Sequence, residues 1–290
     1  MAQVTAQMVK QLREMTGTGM MECKKALVEA EGDMDAAVDI LRKNGLAAAA
    51  KKAGRVTNEG AIGAFVYEDG RIGALVEVSC ETDFVASNPK FTGFCCKLAQ
   101  TAVENGYADA EALMAGTVDG EPTEAALTEM VHVIGENMKV SRVVTRKAEA
   151  GAVSTYLHMG GKIGVLAQFA FEKPETAQNE AFKAFAHDVA MQIAATAPTA
   201  AVREDVPAET IDHEMAIYKE QAVASGKPEA IQEKMATGRL EKYFKQFVLV
   251  EQEFVKDSSM TVSQYAEQTS KACGDTIAVV GFDRLMRGED

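Results

Sequence analysis

Few side chains in this sequence are arranged for catalysis or ligand binding. His187-Asp188 has the composition of an acid–base pair, but neighbours on one helix face different sides, so the two cannot cooperate. Glu77 and Glu81 could be paired carboxylates for general acid–base work. Strand alternation puts both on one face near a strand end, where solvated charge is the expectation. No Ser or Cys has the setting of an activated nucleophile. Gly17-Thr18-Gly19-Met20-Met21-Glu22 begins like a dinucleotide-binding fingerprint. It lacks the third Gly and follows a helical pattern, so it is expected to be a helix-breaking turn. No phosphate-binding GxxxxGK[ST] loop is present. His132, His158, His187 and His213 are scattered without metal-ligand spacing. The five cysteines include no CxxC, and a bridge between the adjacent Cys95 and Cys96 would be strained, so reduced thiols are expected. No catalytic residue, metal site or cofactor is therefore predicted.

What remains is Thr82-Asp83-Phe84-Val85, a bulky aromatic beside a carboxylate at a strand end. One reading makes Phe84 a buried plug; the other makes it an exposed functional group on a loop. A repeat singles out this turn. Residues 60–99 laid over 151–190, without a gap, give 12 identities in 40 positions. Ordinary composition would give about three. The identities include Gly60/Gly151, Gly70/Gly161, Gly73/Gly164, Phe91/Phe182 and Phe94/Phe185. Where the first copy has Thr82–Val85, the second has Lys173-Pro174-Glu175-Thr176, with no matching aromatic. A scaffold that needed a Phe there would show an anchor in both copies. Met20-Met21 poses a similar choice between a soft docking patch and core filling.

The elements that position these residues follow from periodicity. In residues 1–54, Val4/Met8/Leu12, Ala26/Leu27/Ala30 and Ala37/Ile40/Leu41 mark three short helices. Thr5 and Asp33 are caps, Gly32 and Gly45 are stops, and Ala47–Lys52 is a linker. Ile62, Ala64, Val66 and Ile72, Ala74, Val76, Val78 alternate as a hairpin around Glu68-Asp69-Gly70. Phe91, Phe94, Leu98 and Ala102 then mark a helix. A helical pattern follows over Glu124–Asn137, and Val140, Val143 and Val144 suggest a strand leading into the second copy. Residues 208–247 lose the alternation. Ile211, Met215, Tyr218 and Ala222 form one stripe, Ile231 and Met235 begin another, and Ser225-Gly226-Lys227-Pro228 lies between them, an antiparallel helical hairpin. This hairpin is expected either to contact a partner or a second copy, as a homodimer or 2:2 complex, or to pack as a satellite on its own core. Strand-like runs at Val248–Val250 and Ile277–Phe282 close the chain. The predicted division is 1–54, 55–144, 145–196 with 248–290, and the insertion 197–247, in an α+β fold.

Composition excludes several functions. A net charge of −13 disfavours direct binding to nucleic acid, and the absence of Trp disfavours base-stacking platforms. No apolar run is long enough to span a membrane, and Met1–Thr5 lacks the pattern of a signal peptide, so a cytoplasmic protein is expected.

Five stretches carry a resemblance that spans nearly the whole chain. They are Met15–Leu27, Glu81-Thr82-Asp83-Phe84-Val85-Ala86, Tyr156–Leu166, Ser225-Gly226-Lys227-Pro228 and Phe254-Val255-Lys256-Asp257. In sequence and order they resemble the bacterial translation elongation factor Ts family. The resemblance implies an N-terminal three-helix domain like ubiquitin-associated domains, then two related α+β subdomains with a helical hairpin inserted in the second. It implies guanine-nucleotide exchange on elongation factor Tu, bound both as the GDP form and nucleotide-free, and no enzymatic step. By the same resemblance, Thr82, Asp83, Phe84 and Val85 enter the partner's nucleotide-binding domain and dislodge its Mg²⁺. Met20 and Met21 dock on that domain, and the region around His158 engages another part of the partner. A passive protein-binding adaptor or holdase is the alternative. The chain departs from the family pattern at Ser87, where many relatives carry a basic residue, and at Glu253, where Pro is usual. No pattern for a further C-terminal helix precedes Asp290.

Overall fold

In the computed structural model, which describes residues 4–289, Thr5 and Asp33 cap the first and third helices. The amide of Met8 donates to Thr5 Oγ1 (3.2 Å) and that of Ala36 to Asp33 Oδ1 (2.9 Å). Residues 1–3, which hold most of the stretch that argues against a signal peptide, lie with Asp290 outside the described residues. Helices α1 (Ala6–Thr16), α2 (Met20–Glu29) and α3 (Met34–Lys52) pack around Val9, Leu12, Cys23, Ala26, Leu27, Ala37 and Leu41. Gly17 ends α1 in a left-handed conformation, φ 68°. Gly45 does not end α3, and Ala47–Lys52 is not a linker. Alanine and lysine are strong helix formers, and the helix runs on through them to Lys52. Gly45 is where α3 meets α7 (Thr123–Ile134): a Cβ there would lie 3.4 Å from His132 Cγ.

The first sheet pairs β1 (Glu59–Val66) with β2 (Ile72–Cys80) from Glu59↔Cys80 to Val66↔Gly73. β5 (Lys139–Lys147) pairs with the other side of β2, so it closes the first sheet rather than only leading into the second copy, and it passes the boundary expected at 144. Between β2 and β5 lie α4 (Asp83–Ala86), α5 (Pro89–Asn105), α6 (Ala110–Ala115), the short pair β3 (Thr117–Val118) and β4 (Glu121–Pro122), and α7. The second sheet has order β10-β7-β6, with β6 (Ala152–His158), β7 (Ile163–Ala170) and β10 (Ala278–Met286). Its helices are α8 (Glu180–Thr196) and α11 (Val262–Cys273), the latter preceded by β8 (Glu253–Phe254) and β9 (Asp257–Thr261).

The duplication extends beyond the stretch that aligns without a gap. α7 and α11 match end to end, Thr123 to Val262 and Ile134 to Cys273. β5 and β10 continue in the same register, Lys139 to Ala278 and Lys147 to Met286. The two sheets pack back to back through Ile62, Leu75, Val153, Leu166 and Leu285, with α5 and α8 on the outer faces. The repeated glycines serve this contact. A Cβ on Gly73 would sit 2.9 Å from Leu166, and one on Gly164 would sit 2.5 Å from Ile62. β2 is thus covered on both faces, which overturns the expectation of solvated charge at Glu77. Glu77 is 3% exposed and pairs with Arg142 (2.6 Å) and Arg287 (3.7 Å). Arg142 and Arg146 also reach the carbonyls of Met286 (2.6 Å) and Phe282 (2.8 Å), tying the two sheets together.

The insertion forms α9 (Ala208–Ala224) and α10 (Glu229–Phe247). Its base packs on Ala200, Val206, Leu240, Phe244 and Val248, and Arg203 pairs with Glu241 (2.7 Å) over the Phe244 ring. Farther out, Val223 and Ile231 are exposed. Val248–Val250 is not a strand. Leu249–Glu251 is a 3-10 turn whose Leu249 amide bonds back to Ala200 O (2.9 Å).

Candidate functional site

Thr82–Val85 fold as a single turn at the end of β2. Thr82 is the N-cap of α4, with φ −127° and ψ 156°, and its hydroxyl accepts from the Val85 amide (3.4 Å). The next cap follows at once: Asn88 accepts from the Lys90 amide (2.9 Å), and Pro89 opens α5. Val85 and Ala86 are buried in the first core, whereas Phe84 is 84% exposed. The buried-plug reading of Phe84 fails on that number. A Phe left in water forgoes roughly 1.5–3 kcal/mol of burial free energy. Asp83, beside it, is also exposed.

The turn is gripped from another element. Glu136, just beyond α7, accepts from the amides of Glu81 (3.1 Å) and Thr82 (3.0 Å), and from the Thr82 hydroxyl (2.6 Å). Glu81 in turn accepts from the Asn137 amide (2.6 Å), and Asn137 Nδ2 donates to Arg55 O (2.9 Å) at the end of the helical module. The nearby Cys80 thiol is pushed up to about 12, first by burial and then by the Glu136 charge, so it is no nucleophile.

Met20 and Met21 open α2 and are 53% and 64% exposed, which excludes core filling. The next residue, Glu22, lies 3.7 Å from His132 on α7. α7 therefore links the methionine pair to the turn bearing Phe84. His158 lies apart, at the end of β6 in the second sheet, where its Nδ1 is 3.3 Å from the Tyr156 hydroxyl and the neighbouring Met159 is exposed. His187 and Asp188 diverge as their spacing predicts. His187 meets Tyr156 edge-on, while Asp188 binds Lys256 (2.6 Å) and Tyr265 (3.3 Å). Among the described residues, no group of three or more His, Cys, Asp or Glu side chains could hold a metal ion, and no helix is long and apolar enough to cross a membrane.

A protein-family profile described as elongation factor TS matches residues 81–289. The elongation factor Ts of Clostridium perfringens (strain SM101) is 46% identical over 287 residues, which is 99% of this chain and 93% of that protein. The elongation factor Ts proteins of Clostridium botulinum (strain Alaska E43) and Trichlorobacter lovleyi are 45% and 44% identical, with the same shares covered. The chain belongs to the elongation factor Ts family. Membership gives it a role in translation elongation. In this elongation factor Ts fold the Thr82–Val85 turn stands out in the sequence, whereas Glu136, which grips it, does not. The signal that could have found it is Gly135-Glu136 against Gly274-Asp275, a glycine and then a carboxylate shortly before each third strand.

Proposed function

We propose that the chain is a cytoplasmic guanine-nucleotide exchange factor for elongation factor Tu. Asp83 and Phe84 enter the nucleotide-binding domain of GDP-bound partner and displace its Mg²⁺. Thr82 and Val85 shape the turn that presents them. The observation that carries this reading is the exposure of Phe84 on a turn whose neighbouring residues are capped, clamped and buried. Mg²⁺ bridges protein and phosphate oxygens, so its loss weakens GDP binding. No acid, base or nucleophile is required. The factor binds the nucleotide-free partner best, and by linkage each ligand weakens the other by the same factor. A 10⁴-fold effect needs about 5.5 kcal/mol of differential binding. Phe84 supplies roughly 1.5–3 kcal/mol of that. Met20 and Met21, and the surface around His158, supply the remainder. The helical module and the first core unit thus attack the nucleotide site while the second core unit holds on elsewhere.

The test is release of a fluorescent GDP analogue from elongation factor Tu. Wild-type chain accelerates release, and Asp83→Ala and Phe84→Ala each slow it with binding retained. If wild-type chain binds without accelerating release, the protein is a passive adaptor; if both variants match wild type, the turn is not the exchange element.

A further inference from the structure

We propose that Glu136 is a positioning residue for exchange: its carboxylate fixes the Thr82–Val85 turn so that Phe84 is presented before the partner arrives. This rests on the exchange reading above. The inference comes from how the turn is restrained. On its upstream side, Glu136 holds three donors, the amides of Glu81 and Thr82 and the Thr82 hydroxyl, at 3.1, 3.0 and 2.6 Å. On its downstream side, Val85 and Ala86 are buried in the core. Asp83 and Phe84 are the two residues left between these anchors, and both point to solvent.

The second copy shows which part of this grip is scaffold. In the register that matches α7 to α11 and β5 to β10, Asp275 stands in the place of Glu136. It too accepts from the amides of the residues after its strand, Glu172 (3.3 Å) and Lys173 (3.0 Å). Its hydroxyl donor is different. Asp275 binds Thr176 (2.6 Å), which occupies the position of Val85, so it draws the far end of the turn inward. In the first copy, apolar burial of Val85 does that task, and the carboxylate is free to hold Thr82 instead. The clamp is common to both copies, but only Glu136 grips immediately ahead of an exposed aromatic.

Glu136 also stands where the turn and the helical module meet. Its neighbour Asn137 binds Glu81 through its amide and Arg55 O through its side chain, and Arg55 pairs with Glu81 (3.3 Å). One two-residue segment therefore sets both the wedge and the root of the domain that carries Met20 and Met21.

A turn that must be ordered on arrival loses backbone entropy that a turn already fixed has lost beforehand. Glu136→Ala should accordingly lower the maximal rate of GDP release by about tenfold, the equivalent of freezing one residue. The factor concentration giving half-maximal release should not move, because Met20, Met21 and the His158 region are untouched. Glu136→Gln should restore most of the rate. Its amide oxygen can accept from the two backbone N–H groups, and its NH₂ can donate to the Thr82 hydroxyl. Combined with Phe84→Ala, Glu136→Ala should add nothing. Equal slowing in both backgrounds would show a merely structural role and overturn the proposal. So would a wild-type rate for Glu136→Ala while Phe84→Ala is slow. If Phe84→Ala itself releases GDP at the wild-type rate, the exchange turn is misassigned and the role of Glu136 falls with it. If Glu136→Ala does not fold, Thr82→Val carries the test. It removes the hydroxyl bond of the clamp, and with it the α4 cap on the Val85 amide, and should slow release severalfold in the Phe84 background only; the same slowing with Phe84→Ala would refute the idea.

Discussion

After β2 the chain makes a turn that exposes Phe84; after β7, at matched positions, it makes a 3-10 turn that buries Thr176. The frames around the two turns agree closely. Each follows the central strand of a three-stranded antiparallel sheet. Each precedes a 17-residue helix capped by an Asn, Asn88 or Asn179, whose side chain accepts from the amide two positions on at 2.9 Å. Each is held by a carboxylate that follows a glycine shortly before the third strand. Within these frames the turn itself differs: the second copy replaces an apolar projection with Pro174 and a hydroxyl turned inward. Duplication has kept the positioning apparatus in both halves and left only one of them with something to position. On the proposed exchange reading, the difference in function sits in the side chains between the anchors.

The largest effect concerns the shared frame. Phe91→Ala and Phe182→Ala, at matched and buried positions, should each cost about 3–5 kcal/mol in denaturant unfolding. A large cost in one copy and little in the other would mean that the halves do not share a core design. Next is the differing element: Phe84→Ala should slow GDP release roughly 10- to 150-fold while leaving stability near wild type. Met20→Ala and Met21→Ala should each raise the half-maximal factor concentration severalfold and lower the maximal rate by a smaller factor than Phe84→Ala, because they share the remaining differential binding. An unchanged maximal rate would make the methionines docking contacts only.

The smallest effect is a pH dependence confined to the second turn. The Thr176 hydroxyl, and behind it the amides of Lys173, Thr276 and Glu172, hold the Asp275 carboxyl down at about 2. An unfolded Asp titrates at about 3.9. A depressed carboxylate stabilises the fold above the unfolded value, and that contribution is lost as pH falls toward the folded one. Asp275→Asn should thus be less stable than wild type at neutral pH, and the gap should close between about pH 4 and pH 2. A gap that stays constant over that range would show that the Asp275 charge is not what holds the turn.

Much of the frame is legible in the sequence because its constraints are steric. Gly73 and Gly164 recur because the sheets approach too closely for a Cβ, and Phe91 and Phe182 recur because both helices bury a large ring against a sheet. The turn is legible as a break in that repeat. The clamp is not, because it is shared as chemistry rather than as identity: Glu136 matches Asp275. In addition, the helical insertion lies between α8 and α11, so the gapless alignment that pairs Gly73 with Gly164 cannot pair Glu136 with Asp275. Alternation misplaces Glu77 because it says which face a side chain takes and not what covers that face. Gly45 reads as a helix stop, though its missing side chain serves the approach of α3 to His132.

The most direct test exchanges the turns. Thr82→Lys, Asp83→Pro, Phe84→Glu and Val85→Thr, made together, give the first copy the residues of the second on an unchanged frame. Released GDP analogue is then followed at saturating factor. The exchanged protein should fold, still bind elongation factor Tu and no longer accelerate release. Release at the wild-type rate from that variant would contradict the exchange role of the turn.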